Sequence, residues 1–113
     1  MTATAPPAGE TTLERIGVDL GPRSYDIDVG SDLLAGAGFR IRPLLAQPRI
    51  VVVTDETVAR LHLDALLASL SAAGVGCATV VLPAGEGTKD FPHLADLCDR
   101  VLAAGIERNT MLL

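Results

Sequence analysis

The feature that most constrains the fold is a stretch near the middle of the chain, RIVVVTD, Arg49–Asp55. Its residues 50–53 are all apolar and β-branched, and no polar residue alternates among them. A continuous run of this kind is typical of a strand that is buried on both faces, as in the middle of a parallel sheet. The stretch therefore predicts a central strand of such a sheet.

Two later segments continue the same pattern. Residues 77–82 form a second apolar run that Pro83 ends, and a third run begins at residues 110–113. Parallel strands need a crossover between them, which is usually a helix. The order of segments predicts a right-handed β-α-β-α-β series, the Rossmann-like half of a nucleotide-binding α/β fold. Because the third run has only just begun at the last residue, we interpret the sequence as the N-terminal piece of a longer protein.

Helical patterns fill both connections between these runs. Residues 56–73 are rich in Leu and Ala, and Gly74 follows as a residue that suits the end of a helix. In the second connection, apolar residues recur at helical spacing over residues 91–102. Asp90 is placed to cap this helix and Gly105 to end it.

A different periodicity precedes the first buried strand. Apolar and polar residues alternate over residues 16–20 and again over residues 25–29, with Gly21 and Pro22 between the two runs. Two such runs joined by a Gly-Pro turn predict an N-terminal antiparallel β-hairpin with one solvent-exposed face.

The segments that flank the hairpin are less regular. Residues 1–12 consist largely of Ala, Thr, Pro and Gly, so we predict a disordered tail there and one α/β domain over residues 13–113. After the hairpin, Ser31 is placed to cap a short helix that Gly36 and Gly38 would end early.

Composition narrows the classes of partner. The chain has a formal net charge of -5, only 3% aromatic residues and no cluster of Lys or Arg, which argues against a nucleic-acid partner. No apolar run approaches the about 20 residues of a membrane span, and no signal pattern opens the sequence. We therefore expect a soluble, cytoplasmic protein with no membrane partner.

The cysteines and histidines form no catalytic or metal-binding pattern. Cys77 and Cys98 lack metal-ligand spacing, and we expect both to be buried free thiols. His62 and His93 have no second His or Cys at ligand spacing, so we assign them surface or packing roles. No Ser/His/Asp or Cys/His arrangement follows from spacing. Spacing therefore gives none of these cysteines and histidines a catalytic or metal-binding role.

Candidate binding residues instead follow two of the predicted strands. In open parallel sheets, ligands bind at the carboxyl ends of the strands, where loops and helix N-termini meet. The loop TDET, with Asp55 and Thr57, follows the first strand. Asp55 is either an N-cap of the next helix or an acceptor of hydrogen bonds from a ribose hydroxyl, and the two roles are compatible.

The second loop at this edge is GEGTK, residues 85–89. It contains Lys89, the only lysine of the chain, which otherwise uses arginine. Its spacing does not match the phosphate-binding pattern G-x-x-x-x-G-K-[ST]. The loop is either an ordinary turn, in which glycines supply positive φ, or a ligand loop. In the second case, Glu86 and Lys89 present a carboxylate and an ammonium to a ribose and a phosphate.

Three segments carry a family resemblance when they are taken in order. They are VVVTDETV at residues 51–58, LPAGEGTKDF at residues 82–91 and LADLCDRVLAAGIERNTMLL at residues 94–113. Together with the hairpin ERIGVDLGPRSYDIDVG at residues 14–30, they resemble the N-terminal NAD-binding portion of 3-dehydroquinate synthases, in the sugar phosphate cyclase superfamily. The most specific element is the P-x-G-E-x-x-K loop at its distance from TDET.

The resemblance implies a function and cofactors for the whole enzyme. The family consists of phosphorus-oxygen lyases that convert the phosphorylated sugar acid 3-deoxy-D-arabino-heptulosonate 7-phosphate to 3-dehydroquinate and phosphate, in the shikimate pathway of aromatic amino acid biosynthesis. Its members use tightly bound NAD and a divalent metal, zinc or cobalt, and are typically homodimers. The family's Gly-rich turn for the NAD pyrophosphate and its metal ligands lie further along the sequence. We therefore expect the 113 residues alone to be inactive.

The resemblance also assigns both loops to the cofactor. Asp55 and Thr57 would contact the adenosine portion of NAD, and the GEGTK loop would form part of the same site. The cofactor-binding residues that it implies are Asp55, Thr57, Gly85, Glu86, Gly87, Thr88 and Lys89.

Other functions remain open at this point. Sugar phosphate cyclases of the valiolone or inosose synthase type share this NAD-binding half, and so, more distantly, do metal-dependent polyol dehydrogenases. A non-catalytic α/β binding module is an alternative of another class. That alternative predicts a complete fold within 113 residues, which the unfinished third run disfavours.

Overall fold

The computed structural model describes residues 13–113, and the tail predicted at residues 1–12 lies outside them. The described residues form strands and helices in the order that the sequence predicts. The strands are Leu13–Val18 (β1), Tyr25–Gly30 (β2), Arg49–Asp55 (β3), Gly76–Leu82 (β4) and Met111–Leu112 (β5). The α-helices are Ala37–Ile41 (α1), Glu56–Val58 (α2), Asp64–Ala72 (α3) and Phe91–Ala103 (α4). Short 3₁₀ turns span Gly21–Arg23, Leu33–Gly36, Arg42–Leu44 and Glu86–Thr88.

Strand β3 is the central strand of a parallel three-stranded sheet with the order β4-β3-β5. It pairs with β4 along its whole length, from Arg49 opposite Gly76 to Asp55 opposite Leu82. On its other edge it pairs with β5, where Ile50 lies opposite Met111. The predicted parallel β-α-β-α-β unit is therefore confirmed.

The sheet has a packed layer on each face, which explains the unbroken apolar run of β3. Successive side chains of a strand point to opposite faces. Ile50 and Val52 pack with Leu70 of α3, whereas Val51 packs with Val101 of α4. Each such fully buried aliphatic side chain stabilises the fold by about 1.5–3 kcal/mol relative to an exposed one. Helices α3 and α4 therefore lie on opposite faces of the sheet.

The ends of these helices follow the predicted signals. Gly74 and Gly105 have positive φ angles of 74° and 79°, a backbone conformation that glycine adopts without strain. Asp90 caps α4, because its Oδ1 accepts a hydrogen bond of 2.9 Å from the backbone N–H of His93. At the other end of α4, the Arg49 guanidinium donates hydrogen bonds to the carbonyl oxygens of Ala104 and Gly105. The start of β3 is thereby joined to the end of α4.

The connection between β3 and β4 is helical, but not α-helical throughout. A π-helical segment, Ala59–Leu63, joins α2 to α3. The Leu- and Ala-rich composition predicts a helix here but does not distinguish the two hydrogen-bond patterns.

The predicted hairpin is confirmed, with Ile16 opposite Ile27 in an antiparallel two-stranded sheet. The prediction that only one face of the hairpin is exposed to solvent is wrong, because both faces are exposed among the described residues. The side chains of Ile16, Ile27 and Val29 remain 43–54% exposed, because no element among residues 13–113 covers the apolar face. On the polar face, Asp28 accepts hydrogen bonds from Arg15 of β1 and from Arg40 of α1.

The region after the hairpin differs from its prediction. The residue that precedes the first helical turn is Asp32, not Ser31, and its side chain makes no capping hydrogen bond. Helical turns then continue through Gly36 and Gly38 to Leu44. Gly38 is needed for packing: its backbone N–H donates a 2.9 Å hydrogen bond to Ser69 Oγ, so α1 approaches α3 closely. The glycines therefore do not end this helix.

The cysteines are both free thiols, as predicted, but they are not both buried. Cys77 is partly buried in β4, whereas Cys98 is exposed on α4. The inward-facing side of α4 is occupied by Leu97 and Val101, and Cys98 lies beside that side rather than on it.

The close contact of α1 with α3 predicts the effect of a substitution at Gly38. A Cβ atom at this position would lie 2.2 Å from the carbonyl oxygen of Ser69, so the two helices would have to separate. In the intact protein that contains this sequence, Gly38→Ala should lower the free energy of unfolding by about 1–3 kcal/mol, measured by urea denaturation. Gly36→Ala is the matched control, since a Cβ there meets no atom within 4 Å. Equal stability of the two variants would contradict the close packing.

The Asp28 contacts predict a pH dependence of stability. The Arg15 hydrogen bond, with a smaller contribution from Arg40, lowers the pKa of Asp28 below its ordinary value of 3.8. The resulting stabilisation is present above that value and is lost as the pH falls through the lower pKa of the folded state. Thermal midpoints of the intact protein should therefore exceed those of Asp28→Asn at pH 6, and the difference should shrink towards pH 3.

The control for this experiment is Asp26→Asn on the same face of β2. Its carboxylate lies 4.0 Å from Arg15 Nε, compared with 2.7 Å for Asp28. If both variants show the same midpoint differences at both pH values, the Asp28 contacts do not stabilise the hairpin.

Candidate functional site

A cleft of about 800 Å³ lies at the carboxyl ends of β3 and β4. The register places Asp55, the last residue of β3, opposite Leu82, the last residue of β4. The chain leaves β3 towards the α3 face of the sheet and leaves β4 towards the α4 face, so the two connections diverge. Divergence of this kind at neighbouring strands creates the crevice in which open α/β sheets bind ligands. The prediction that both loops share one edge is therefore confirmed.

Asp55 caps the helix that follows β3. Its backbone is extended, and its Oδ1 accepts a 2.8 Å hydrogen bond from the backbone N–H of Val58. Asp55 therefore has the N-cap role, which is one of the two roles predicted for it. The half-buried side chain also lines the cleft, so the carboxylate that caps the helix is available at the ligand edge.

The GEGTK loop is a single 3₁₀ turn, Glu86–Thr88, that begins after Gly85. Gly85 has a φ of 103°, which a residue with a side chain rarely adopts. The Thr88 hydroxyl donates a 2.8 Å hydrogen bond back to the Gly85 carbonyl oxygen. Local hydrogen bonds therefore hold the loop in this shape.

Glu86 and Lys89 form an exposed ion pair at the edge of the cleft. Lys89 Nζ donates a 3.0 Å hydrogen bond to Glu86 Oε1, and the two side chains are 72% and 86% exposed. An ion pair with this exposure contributes about 0–1 kcal/mol to stability. Both groups can therefore exchange this contact for contacts with a ligand at little cost.

A second pair follows directly along the chain. His93 Nδ1 lies 2.6 Å from Asp90 Oδ1, the same oxygen that accepts the His93 backbone N–H. The backbone hydrogen bond and, to a smaller extent, the side-chain contact hold the pKa of Asp90 below its ordinary value. Both side chains line the cleft. The sequence predicts only a surface or packing role for His93. The signal that could have placed it at the cleft is its position three residues after the predicted N-cap, Asp90.

Part of the lining of the cleft is apolar. Phe91, the first residue of α4, is 85% exposed, the highest fraction among the large apolar side chains that the structure describes. The helical spacing of the apolar residues predicts α4 correctly, but it does not distinguish Phe91, at the first position, from the sheet-facing Leu97 and Val101. The apolar wall consists of Leu82, Pro83, Phe91, Leu94 and Leu97.

The structure brings most, but not all, of the predicted site residues together. Thr57 is exposed in α2 and does not line the cleft, and neither does Gly87. His62 lies elsewhere, at a smaller and mostly apolar cleft beside β3. The predicted residues that line the main cleft are Asp55, Gly85, Glu86, Thr88 and Lys89.

The described residues contain neither a cluster of metal ligands nor a membrane-spanning helix. Within residues 13–113, no three His, Cys, Asp or Glu side chains lie close enough together to hold a metal ion. None of the helices in the described part of the chain is long and apolar enough to cross a membrane.

Comparison with known proteins identifies relatives of the chain. It matches no family model. It is 56% identical over 111 residues to the 3-dehydroquinate synthase of Rhodospirillum rubrum, which covers 98% of this chain and 28% of that protein. It is 52% identical over 106 residues to that of Rhizobium etli strain CIAT 652, covering 94% of this chain and 27% of the relative. It is 48% identical over 95 residues to that of Jannaschia sp. strain CCS1, covering 84% of this chain and 26% of the relative.

The chain therefore spans about a quarter of the length of these relatives. Over the stretch that it shares with them, the chain belongs to the 3-dehydroquinate synthase family.

Proposed function

We propose that this chain supplies part of the NAD site of a 3-dehydroquinate synthase. The observation that carries the proposal is the cleft between β3 and β4, where Asp55 and the ion pair of Glu86 and Lys89 meet at one edge. That edge belongs to a chain with close relatives of this name.

The side chains of the cleft fit the chemistry of a dinucleotide. Carboxylates such as Asp55 and Glu86 accept hydrogen bonds from the vicinal hydroxyls of a ribose. The Lys89 ammonium is a compact cation that suits a phosphate oxygen. The apolar wall can cover the face of a base. When bound, NAD would supply the transient oxidation and re-reduction of a substrate alcohol.

The proposal extends to the reaction of the intact protein. It would convert 3-deoxy-D-arabino-heptulosonate 7-phosphate to 3-dehydroquinate and phosphate, as a lyase of the shikimate pathway. Its divalent metal, zinc or cobalt, would be held by residues outside this chain. A cytoplasmic homodimer is the assembly that we expect.

Substitutions in the loop test the NAD site. In the intact protein, Glu86→Ala and Lys89→Ala should each weaken NAD binding by about 1–3 kcal/mol, which is roughly 5- to 150-fold in Kd. Each variant removes one charged partner from the ligand, while the 3₁₀ turn keeps its backbone hydrogen bonds. Isothermal titration calorimetry with NAD measures the effect directly.

The helical connection that follows β3 provides matched controls. Glu56→Ala and Arg60→Ala remove exposed charges of the same sign from the helix after β3, and neither residue lines the cleft. Their NAD affinities should equal that of the unchanged protein. If the loop variants also bind NAD normally, the loop is an ordinary turn and the proposed site is wrong.

Metal removal tests the proposed reaction. Dialysis of the intact protein against a chelator should abolish release of phosphate from the heptulosonate 7-phosphate, because a divalent metal is part of the proposed reaction. Added zinc or cobalt should restore it, and NAD affinity should change less than turnover. Full turnover in the metal-free protein would contradict the proposal.

A further inference from the structure

We propose that Phe91 and Leu94 form the stacking surface for the adenine base of the bound dinucleotide. This inference rests on the proposed NAD site and assigns a role to two residues to which the resemblance gives none. It begins with the unusual position of Phe91. Phe91 is 85% exposed among residues 13–113, although its side chain lines a cleft.

The positions of the polar groups determine where a base would lie. In a nucleotide the base and the vicinal hydroxyls belong to the same ribose, and the base is attached at C1′, next to the 2′-hydroxyl. If Asp55 and Glu86 hold the hydroxyls, the base must lie within a few ångströms of them. Leu82, Phe91 and Leu94 belong to the apolar wall of the same cleft, at the end of β4 and in the first turn of α4.

The chemistry of the wall favours adenine over nicotinamide. Adenine is a neutral ring with an apolar face, and it stacks well on aromatic side chains. Oxidised nicotinamide carries a positive charge, and burial of a charge against aliphatic groups is costly. The aliphatic members of the apolar wall therefore suit the adenosine end of the molecule; they are Leu82, Pro83, Leu94 and Leu97.

The position of Phe91 on its helix makes this surface available. Asp90 caps α4 and fixes its first turn, so Phe91 is the first residue of the helix. The sheet-facing side chains of α4 are Leu97 and Val101, about two and three turns further along. Phe91 therefore contributes little to the core, and its exposed ring is free to cover a ligand.

Binding measurements on the intact protein test the proposal. Phe91→Ala should weaken binding of NAD and of adenosine diphosphate by roughly 5- to 50-fold, as for other bases that stack on an aromatic ring. Binding of nicotinamide mononucleotide, which lacks adenine, should be unchanged. Phe91→Tyr keeps an aromatic ring and should retain affinity for all three ligands.

The control is Phe39→Ala, which removes the other phenylalanine of the chain, also largely exposed but outside the cleft. It should leave all three affinities unchanged. Among residues 13–113, Phe91 lies outside both core clusters, so Phe91→Ala should have the thermal midpoint of the unchanged protein. Equal midpoints separate a loss of stacking from a loss of structure.

Two results would overturn the inference. One is unchanged affinity of Phe91→Ala for NAD and adenosine diphosphate. The other is weaker binding of nicotinamide mononucleotide without weaker binding of adenosine diphosphate, which would place the nicotinamide end on Phe91. If Glu86→Ala and Lys89→Ala weaken NAD binding but Phe91→Ala does not, the stacking surface is wrong and the NAD site stands. If none of the three variants has an effect, the NAD site itself is wrong.

Discussion

The parallel pairing of β3 with β4 is the constraint on which the site depends. It runs without a break from Arg49 opposite Gly76 to Asp55 opposite Leu82, so the two strands end at the same level. A slip of one residue would turn every side chain of a strand to the other face. Since Ile50 and Val52 pack against one layer and Val51 against the other, the core fixes this register. The core therefore also fixes the distance between the two loops.

The cleft follows from that pairing and from the direction of the two connections. The chain crosses to opposite faces of the sheet after β3 and after β4, which leaves a gap between the loops. Groups with different chemistry meet there: a capping carboxylate, Asp55, the exposed ion pair of Glu86 and Lys89, and an apolar wall that ends in Phe91. None of these groups requires unusual backbone strain except the turn at Gly85, where glycine is present. The site is an ordinary result of a doubly covered parallel sheet.

Much of this arrangement could be predicted from the sequence, because the signals involved are local. The apolar run of β3, the glycines at positions 74 and 105 and the cap at Asp90 each act within a few residues of where they appear. The shared edge of the loops followed from a general rule for parallel strands rather than from any single residue. These predictions are confirmed for the same physical reason, that chain geometry alone decides them.

The predictions that failed depend on contacts between distant residues. Gly38 is predicted to end a helix, but it instead allows the close approach of Ser69, which lies 31 residues away in the sequence. Cys98 is predicted to be buried but is exposed, because periodicity gives the spacing of apolar residues but not the point at which the helix meets the sheet. The exposure of the hairpin likewise depends on what packs against Ile16 and Ile27, and no pattern within the hairpin contains that information.

The most direct test of this account is a crystal structure of the intact protein with NAD bound. The account predicts that the vicinal hydroxyls of the adenosine ribose lie within hydrogen-bonding distance of the Asp55 or Glu86 carboxylate. It also predicts that Lys89 has moved from Glu86 towards the ligand. NAD bound away from the carboxyl ends of β3 and β4, with the Glu86–Lys89 ion pair unchanged, would contradict it.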